Sequence, residues 1–328
     1  MYVFSEDCKI VLKDKLKGLR IAVIGDVMLD QYYNGEVTRI SPEAPVPINH
    51  IQSIRSVLGG ASNVASNLSN LGCCVFLGSV CGRDANSERL FELLKEQQID
   101  CIGLFKSLHR PTISKIRVLG MGQQMLRLDF EEIRDLYEEE ISALQEWFLS
   151  LLEDGIDGVL ISDYAKGVCS PQFCNWIINK ANEYHIPVLV DPKGKNWTKY
   201  KGCDFITPNV KEVSDILGCM VHNEDNEILT ASYQIKEQYG FKNLVVTRSE
   251  KGITMVGNKS IHSPAISAEV FDVTGCGDTV AAVLLAAFIC GLSDEEMLAL
   301  ANCAAGVVIR KVGTYPIHYD ELMREIQG

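Results

Sequence analysis

"FDVTGCGDTVAAVLLAAF", Phe271 to Phe288, sets two glycines and two acids, Asp272 and Asp278, around the start of an unbroken apolar run. The apolar part, Thr279–Cys290, falls short of the about 20 residues that cross a bilayer and reads as a core helix. A carboxylate at the mouth of such a helix has an ordinary explanation, since Asp is a good N-cap. It also has a chemical one. The N–H groups of Gly275, Cys276 and Gly277 can converge at the positive end of the helix. Such a nest would hold the charge of a transferring phosphoryl group. Asp278 beside it is placed to accept the proton of an attacking hydroxyl.

Outward from this stretch, apolar runs alternate with helical patterns. "LRIAVIGDVMLD" (Leu19–Asp30) reads as a buried strand ending at Gly25, followed by strands in Cys74–Val80, Asp157–Asp163, Ile186–Asp191, Cys203–Asn209 and Asn243–Arg248. Helices are expected over Asn63–Leu71, Glu138–Glu153, Gln172–Tyr184 and Glu227–Tyr239. This alternation predicts an α/β fold with a parallel sheet covered on both faces. Two segments break the rhythm. Ile40–Val57 and Thr112–Glu131 alternate apolar and polar residues, as half-exposed antiparallel strands do, the second with a hairpin turn near Gly120–Gly122. They predict a small β-sheet lid on one α/β body spanning residues 1–328, with the lid drawn from roughly 31–57 and 110–131.

Composition narrows the function classes. The 328 residues are 47% hydrophobic and 23% charged, ordinary for a globular chain. A net charge of −12 argues against nucleic acid or an anionic membrane as the main partner. It leaves phosphorylated small molecules open, because Lys and Arg can cluster locally. The twelve cysteines form no CxxC, and the six histidines form no pair at helical spacing, so neither set reads as a metal site. Without a signal peptide, the thiols suggest a cytoplasmic protein.

Ligands of open α/β sheets bind at the carboxyl ends of the strands. Polar residues gather there: Asp26 and Asp30, Asp163 and Lys166, Asp191 and Lys193, Asn209 and Glu212. Each alone is an ordinary cap or turn residue; together they outline a site. "GGASNVA" adds Gly59-Gly60, which let a ligand approach the backbone, and Asn63 one turn into a helix. No GxxxxGK[ST] occurs and the first strand carries no GxGxxG, which disfavours a P-loop enzyme and a standard dinucleotide dehydrogenase.

"GGASNVA" and "DVTGCGD", with "TPNVKE" and "TRSEKG" between them, resemble the signature motifs of the ribokinase-like (PfkB) family of sugar and nucleoside kinases, over nearly the whole chain. The resemblance implies a three-layer α/β/α body with a β lid and ATP-dependent phosphorylation of a hydroxyl. By it, Asp278 is the general base and Gly275, Cys276 and Gly277 form the anion hole. Cys276 stands where the family usually has Ala. Asn209 and Glu212 match an NxxE element that positions Mg²⁺ through water. Thr247, Ser249 and Gly252 fall where ATP phosphates and ribose are held, Asn302 where adenine sits, and Lys193 near the phosphates. Asp272 and Thr274 match a loop that often binds a monovalent cation such as K⁺.

"RISPEAPVP", "TISKIRVLGMGQQMLRLDFEE", "SDYAKG" and "DPKG" resemble, more narrowly, the kinase half of the ADP-heptose synthesis enzymes. That group phosphorylates the anomeric C1 hydroxyl of D-glycero-D-manno-heptose 7-phosphate, a step toward lipopolysaccharide precursors. Ending at Gly328, the sequence would be the form without the second, nucleotidyltransferase, domain. A substrate with a distal phosphate needs a basic grip, which the lid offers in Lys115, Arg117 and Arg127, with Lys166 nearby. Asp26, Asp30, Asn63 and the Gly59-Gly60 backbone would bind sugar hydroxyls. Open alternatives are a kinase of the same fold acting on a fructose phosphate, ketodeoxygluconate, ribose or a nucleoside, and a sugar-phosphate sensor without turnover. Exposed lid edges further suggest a homodimer through the lids.

Overall fold

The computed structural model describes residues 2–266 and 269–327. Strand β1 (Arg20–Gly25) is buried at every position after its first. A strand buried on both faces belongs inside a parallel sheet. β1 accordingly pairs in parallel with β4 (Cys74–Gly82) on one side and β8 (Gly158–Ser162) on the other. Beyond β4 lies β5 (Leu104–Ser107); beyond β8 follow β9 (Val188–Asp191), β10 (Phe205–Ile206) and β11 (Asn243–Thr247), all parallel. The far edge is antiparallel: β12 (Ile253–Val256) and β13 (Ser260–Ser263) complete a nine-stranded sheet among the described residues. All six strands expected from the sequence are present. The antiparallel edge and β5 were not expected.

Strand alternation separates two cores. Ile21, Val23, Leu160 and Leu189 pack with helices α1 (Glu6–Lys15), α2 (Ala61–Asn70), α3 (Ala85–Glu96), α8 (Cys276–Cys290), α9 (Asp294–Val308) and α10 (Tyr319–Gln327). Ala22, Ile24, Val159 and Ile161 face α4 (Glu138–Asp154), α5 (Pro171–Glu183), α6 (Val210–Leu217) and α7 (Asp225–Tyr239). The three-layer α/β/α body is the one expected.

The second sheet has the order β3-β2-β6-β7. Only Asp26 separates β1 from β2 (Val27–Ile40), which turns back as β3 (Pro47–Gly60) and pairs in parallel with β6 (Ser114–Gly120). β6 and β7 (Gln123–Phe130) form a hairpin whose two turn residues, Met121 and Gly122, have φ of 51° and 79°. Two positive φ values in succession match the twist of the flanking strands. The lid strands run deeper than the expected 31–57: residues 27–30 and 58–60 are already paired, which carries Asp30 and Gly59 into the lid itself.

α8 is apolar all round, so its position is fixed by polar contacts at its mouth. Asn67 of α2 accepts from Thr279 Oγ1 at 2.9 Å and from the Ile317 N–H at 3.0 Å, and donates to the Asn63 carbonyl at 2.8 Å. All of these groups are buried. Asn67→Ala leaves the Ile317 N–H orphaned and Thr279 with only the Gly275 carbonyl at 3.2 Å, and should destabilise the fold by about 2 kcal/mol. The denaturant midpoint should fall with an unchanged m-value; an unmoved midpoint would show that the clasp does not hold α8.

Candidate active site

Asp278 is the third residue of α8, and it caps nothing. The N-cap position is Gly275, in the left-handed conformation at φ 80°, with no side-chain cap. A Cβ there would come within 2.8 Å of Asn63 Nδ2, so the turn needs glycine on both grounds. The Asp278 carboxylate turns inward instead. Oδ2 accepts from Asn63 Nδ2 at 2.7 Å and Oδ1 accepts from the Tyr164 hydroxyl at 2.6 Å. Burial pushes its pKa up to about 6; the two donors pull it down, and the charge of Asp30 adds to the rise. The expectation that Asp278 caps the helix is therefore corrected.

Tyr164, which the sequence reading quoted but gave no role, sits in the loop after β8. Asp26 fixes that loop: Oδ2 accepts from the Tyr164 and Lys166 N–H groups and Oδ1 from the Val168 N–H, each at 3.0 Å. Asp26 is fully buried. It is a positioning residue, and the expected sugar contact is corrected. Asp163 likewise faces inward, ion-paired to Lys199 and hydrogen-bonded to the Tyr200 hydroxyl at 2.6 Å.

On the lid side, Asp30 Oδ1 accepts from Arg117 Nη1 at 2.5 Å. A Cβ on Gly59 would lie 2.3 Å from Asp30 Oδ2, and one on Gly60 would lie 2.4 Å from the Asp26 carbonyl oxygen. The glycine pair thus makes room for Asp30 and Asp26, a different use from the expected ligand approach. Lys115 contacts Asp129 at 3.2 Å and Glu131 at 3.5 Å, Arg127 contacts Asp129 at 2.8 Å, and Lys166 contacts Glu131 at 2.6 Å. Every cation expected to grip a phosphate already has a carboxylate partner.

Two cavities meet at the head of α8, one of them lined by Asp278. A recess of 170 Å³ is lined by Asp278, Gly275, Asp191, Lys193 and Glu212, among others. It opens beside a cleft of 1460 Å³ lined by Ser249, Gly252, Cys276 and Asn302. Asn209, Thr247 and Gly277 line both. A Cβ on Gly277 meets nothing within 4 Å, so this glycine faces open space. Asn209 and Glu212 form a reciprocal cap on α6, each accepting the other's N–H at 3.0 Å, while Glu212 also accepts from Lys193 at 2.7 Å. Burial pushes the Asp191 carboxyl well above its ordinary value, and the charges of Asp278 and Glu212 push the same way. Asp191 accepts from Thr207 at 3.1 Å.

Other expected ligand residues also have structural partners. Asn302 Nδ2 donates to the Ser263 carbonyl at 2.9 Å and hydroxyl at 2.8 Å, anchoring β13, so its amide nitrogen is not presented to a ligand. Gly252 packs under residues 263–265, where a Cβ would be 2.2 Å from the Ser263 carbonyl oxygen. The Asp272 carboxylate accepts from the Thr274 N–H and hydroxyl and from the Gly313 N–H. Burial raises its pKa, but these donors outweigh burial and hold it below the usual range. A carboxylate so occupied shapes the turn; any cation there would fall to backbone carbonyls. Among the described residues no group of three or more His, Cys, Asp or Glu side chains could hold a metal ion. Glu212 and Asp191, which both line the smaller recess, are the carboxylates that could meet a metal ion brought there by a ligand.

The model of the pfkB family carbohydrate kinases matches residues 19–320, and the chain belongs to that family: it is a carbohydrate kinase, transferring phosphate to an alcohol group. The bifunctional protein HldE of Methylobacillus flagellatus is 44% identical over 309 residues, covering 94% of this chain and 63% of that protein. HldE of Aliivibrio fischeri is 40% identical over 312 residues with the same coverages. The chain thus spans under two thirds of the length of these relatives. Escherichia coli phosphofructokinase-2, solved in complex with potassium, superposes with a TM-score of 0.77 at 19% identity, over 95% of this chain and 98% of that one. Arabidopsis thaliana ribokinase, complexed with ribose and ATP, gives 0.74 at 18%, over 95% and 99%. These two likenesses establish the ribokinase-like fold.

The Asp278 environment predicts an acid limb in kcat/KM near pH 6, because a base must be unprotonated to act and Asp278 loses its proton there. Tyr164→Phe removes a donor to the ionised form, so the limb should move up by about one pH unit. A limb that stays put in the variant would sever Tyr164 from the base.

Proposed function

We propose that the protein phosphorylates the anomeric C1 hydroxyl of D-glycero-D-manno-heptose 7-phosphate, using ATP and Mg²⁺, to give the 1,7-bisphosphate. The observation that carries this reading is a buried carboxylate with a raised pKa whose tyrosine donor shares a loop with a basic residue. Asp278 lies between Asn63 and Tyr164, and Lys166 hangs from the loop that presents Tyr164. The HldE relatives support the choice of heptose phosphate within the family.

ATP supplies the transferred γ-phosphoryl group and Mg²⁺ neutralises its charge. The chain's residues position and stabilise. Asp278 accepts the proton of the C1 hydroxyl, with Asn63 and Tyr164 holding its carboxylate in place. The amides of Gly275, Cys276 and Gly277 face the developing charge. Cys276 N–H donates to the Val273 carbonyl at 3.2 Å, a bond that a phosphoryl oxygen would replace. Asn209, Thr247 and Gly277 line the junction where nucleotide and acceptor would meet. Asp30 and Asn63 would bind sugar hydroxyls, while Lys115, Arg117, Arg127 and Lys166 would face the distal phosphate. K⁺ beside Asp272 and Thr274 would be held through their backbone.

We place the enzyme in the cytoplasm; no helix among the described residues is long and apolar enough to cross a membrane. Residues 1–328 form one kinase unit in this reading, and the lid supplies a homodimer contact. Its face away from Arg117 carries Ile54, Leu126 and Leu128, which are 58%, 53% and 40% exposed. The strand pairing aligns them with Tyr33, Val118 and Ile116. An apolar patch of this kind calls for a partner. Leu126→Glu with Leu128→Glu should convert a dimer to a monomer by light scattering; a monomeric parent would remove this assignment.

The substrate reading is tested by ADP release on a panel of heptose 7-phosphate, fructose 6-phosphate, fructose 1-phosphate and ribose. Turnover should favour the heptose phosphate and fall about 10³-fold in Asp278→Asn. Preference for another sugar would replace the substrate. Nucleotide binding without turnover on any member would favour a sensor.

A further inference from the structure

Lys115 and Arg127 of the lid, and Lys166 beside it, are held by two acids that the proposed chemistry does not use, Asp129 and Glu131. Lys115 and Asp129 are directly opposed on β6 and β7, and Glu131 follows one residue beyond β7. Glu131 Oε1 accepts from Lys166 at 2.6 Å while Oε2 accepts from Lys115 at 3.5 Å. All three side chains are 15–19% exposed, so this contact is largely shielded from water. Burial raises the Glu131 carboxyl, but Lys166 and Lys115 outweigh it and hold it ionised.

The backbone around the pair is fixed from both sides. Buried Arg110 donates to the Arg134 carbonyl at 2.7 Å and to the Lys166 carbonyl at 3.4 Å, and a Cβ on Gly167 would lie 1.7 Å from the Arg134 carbonyl oxygen. Segment 131–135 and loop 163–168 are therefore locked together. The Lys166 backbone belongs to the loop that Asp26 pins and that carries Tyr164 to Asp278.

We propose that Glu131 is an internal stand-in for the distal phosphate of the substrate, occupying the Lys115–Lys166 pair in the empty enzyme and yielding it to a phosphate monoester. This rests on the reading of the lid as the distal-phosphate grip. A carboxylate carries one negative charge; a phosphate monoester carries nearly two and three acceptor oxygens, so it competes for the same two ammonium groups. An unphosphorylated sugar brings no anion and leaves Glu131 in place. Glu131 thereby sets selectivity by competition and neutralises the partly buried Lys166, while Lys115 also has Asp129 at 3.2 Å.

The test is calorimetric titration of inorganic phosphate with ADP and Mg²⁺ filling the nucleotide cleft, on wild type, Glu131→Gln and Glu131→Asp. Removing the competitor should tighten phosphate binding ~5-fold in Glu131→Gln. Glu131→Asp, which keeps the charge, should stay near wild type, and the gain should vanish when Lys115→Ala is added. Unchanged or weaker phosphate binding in Glu131→Gln, with thermal stability retained, overturns the proposal. So does an equal gain in the Asp variant, which would trace the effect to shape. If phosphate tightens as expected but no heptose phosphate is turned over, the stand-in holds and the substrate reading falls.

Discussion

The site depends on one buried carboxylate gripped from two directions. Asp278 belongs to α8, Asn63 to α2 and Tyr164 to the loop after β8, three elements far apart in sequence. Desolvation alone would drive this acid toward neutrality; two donors restore enough of the ionised form to leave it near pH 6. That balance suits a base, since a carboxylate at its ordinary pKa would be a weaker proton acceptor. It also ties catalysis to packing, because Asn63 and Asn67 lie on one face of α2 and clasp successive residues of α8.

Many of the neighbouring polar groups build the site, and others border its cavities. Asp26, Asp163, Asp272 and Asn302 have their oxygens or nitrogens engaged with backbone and side chains. They hold the loops at the strand ends in shape. Gly277, Thr247, Asn209 and Asp278 border the cavities. Buried acids at the end of a parallel sheet are costly unless hydrogen-bonded, so most of them are structural partners of the few that react.

Much of this was legible in the chain. Strands buried on both faces, such as β1, β4, β8, β9 and β11, carry short, mostly apolar runs, and such runs announce a parallel sheet. Glycines and acids at the head of α8 pointed to the place where the two cavities meet, and the lid betrayed itself by alternation. What escaped reading were pairings. Tyr164 lies 114 residues from Asp278 and Glu131 lies 35 from Lys166, and neither spacing leaves a local pattern. The same limit made Asp26 look like a ligand: three backbone amides claim it, and backbone amides carry no sequence signature. The β12–β13 edge was missed because two four-residue strands are too short for their period to register.

The most direct measurement is a carbon-13 NMR titration of the Asp278 carboxyl in the free enzyme, assigned by its loss in Asp278→Asn. A single midpoint close to pH 6 is the expected result, since desolvation outweighs the Asn63 and Tyr164 donors. A midpoint near the ordinary aspartate value of about 4 would mean that the carboxylate is solvated or fully compensated, and the account of a poised base would be wrong.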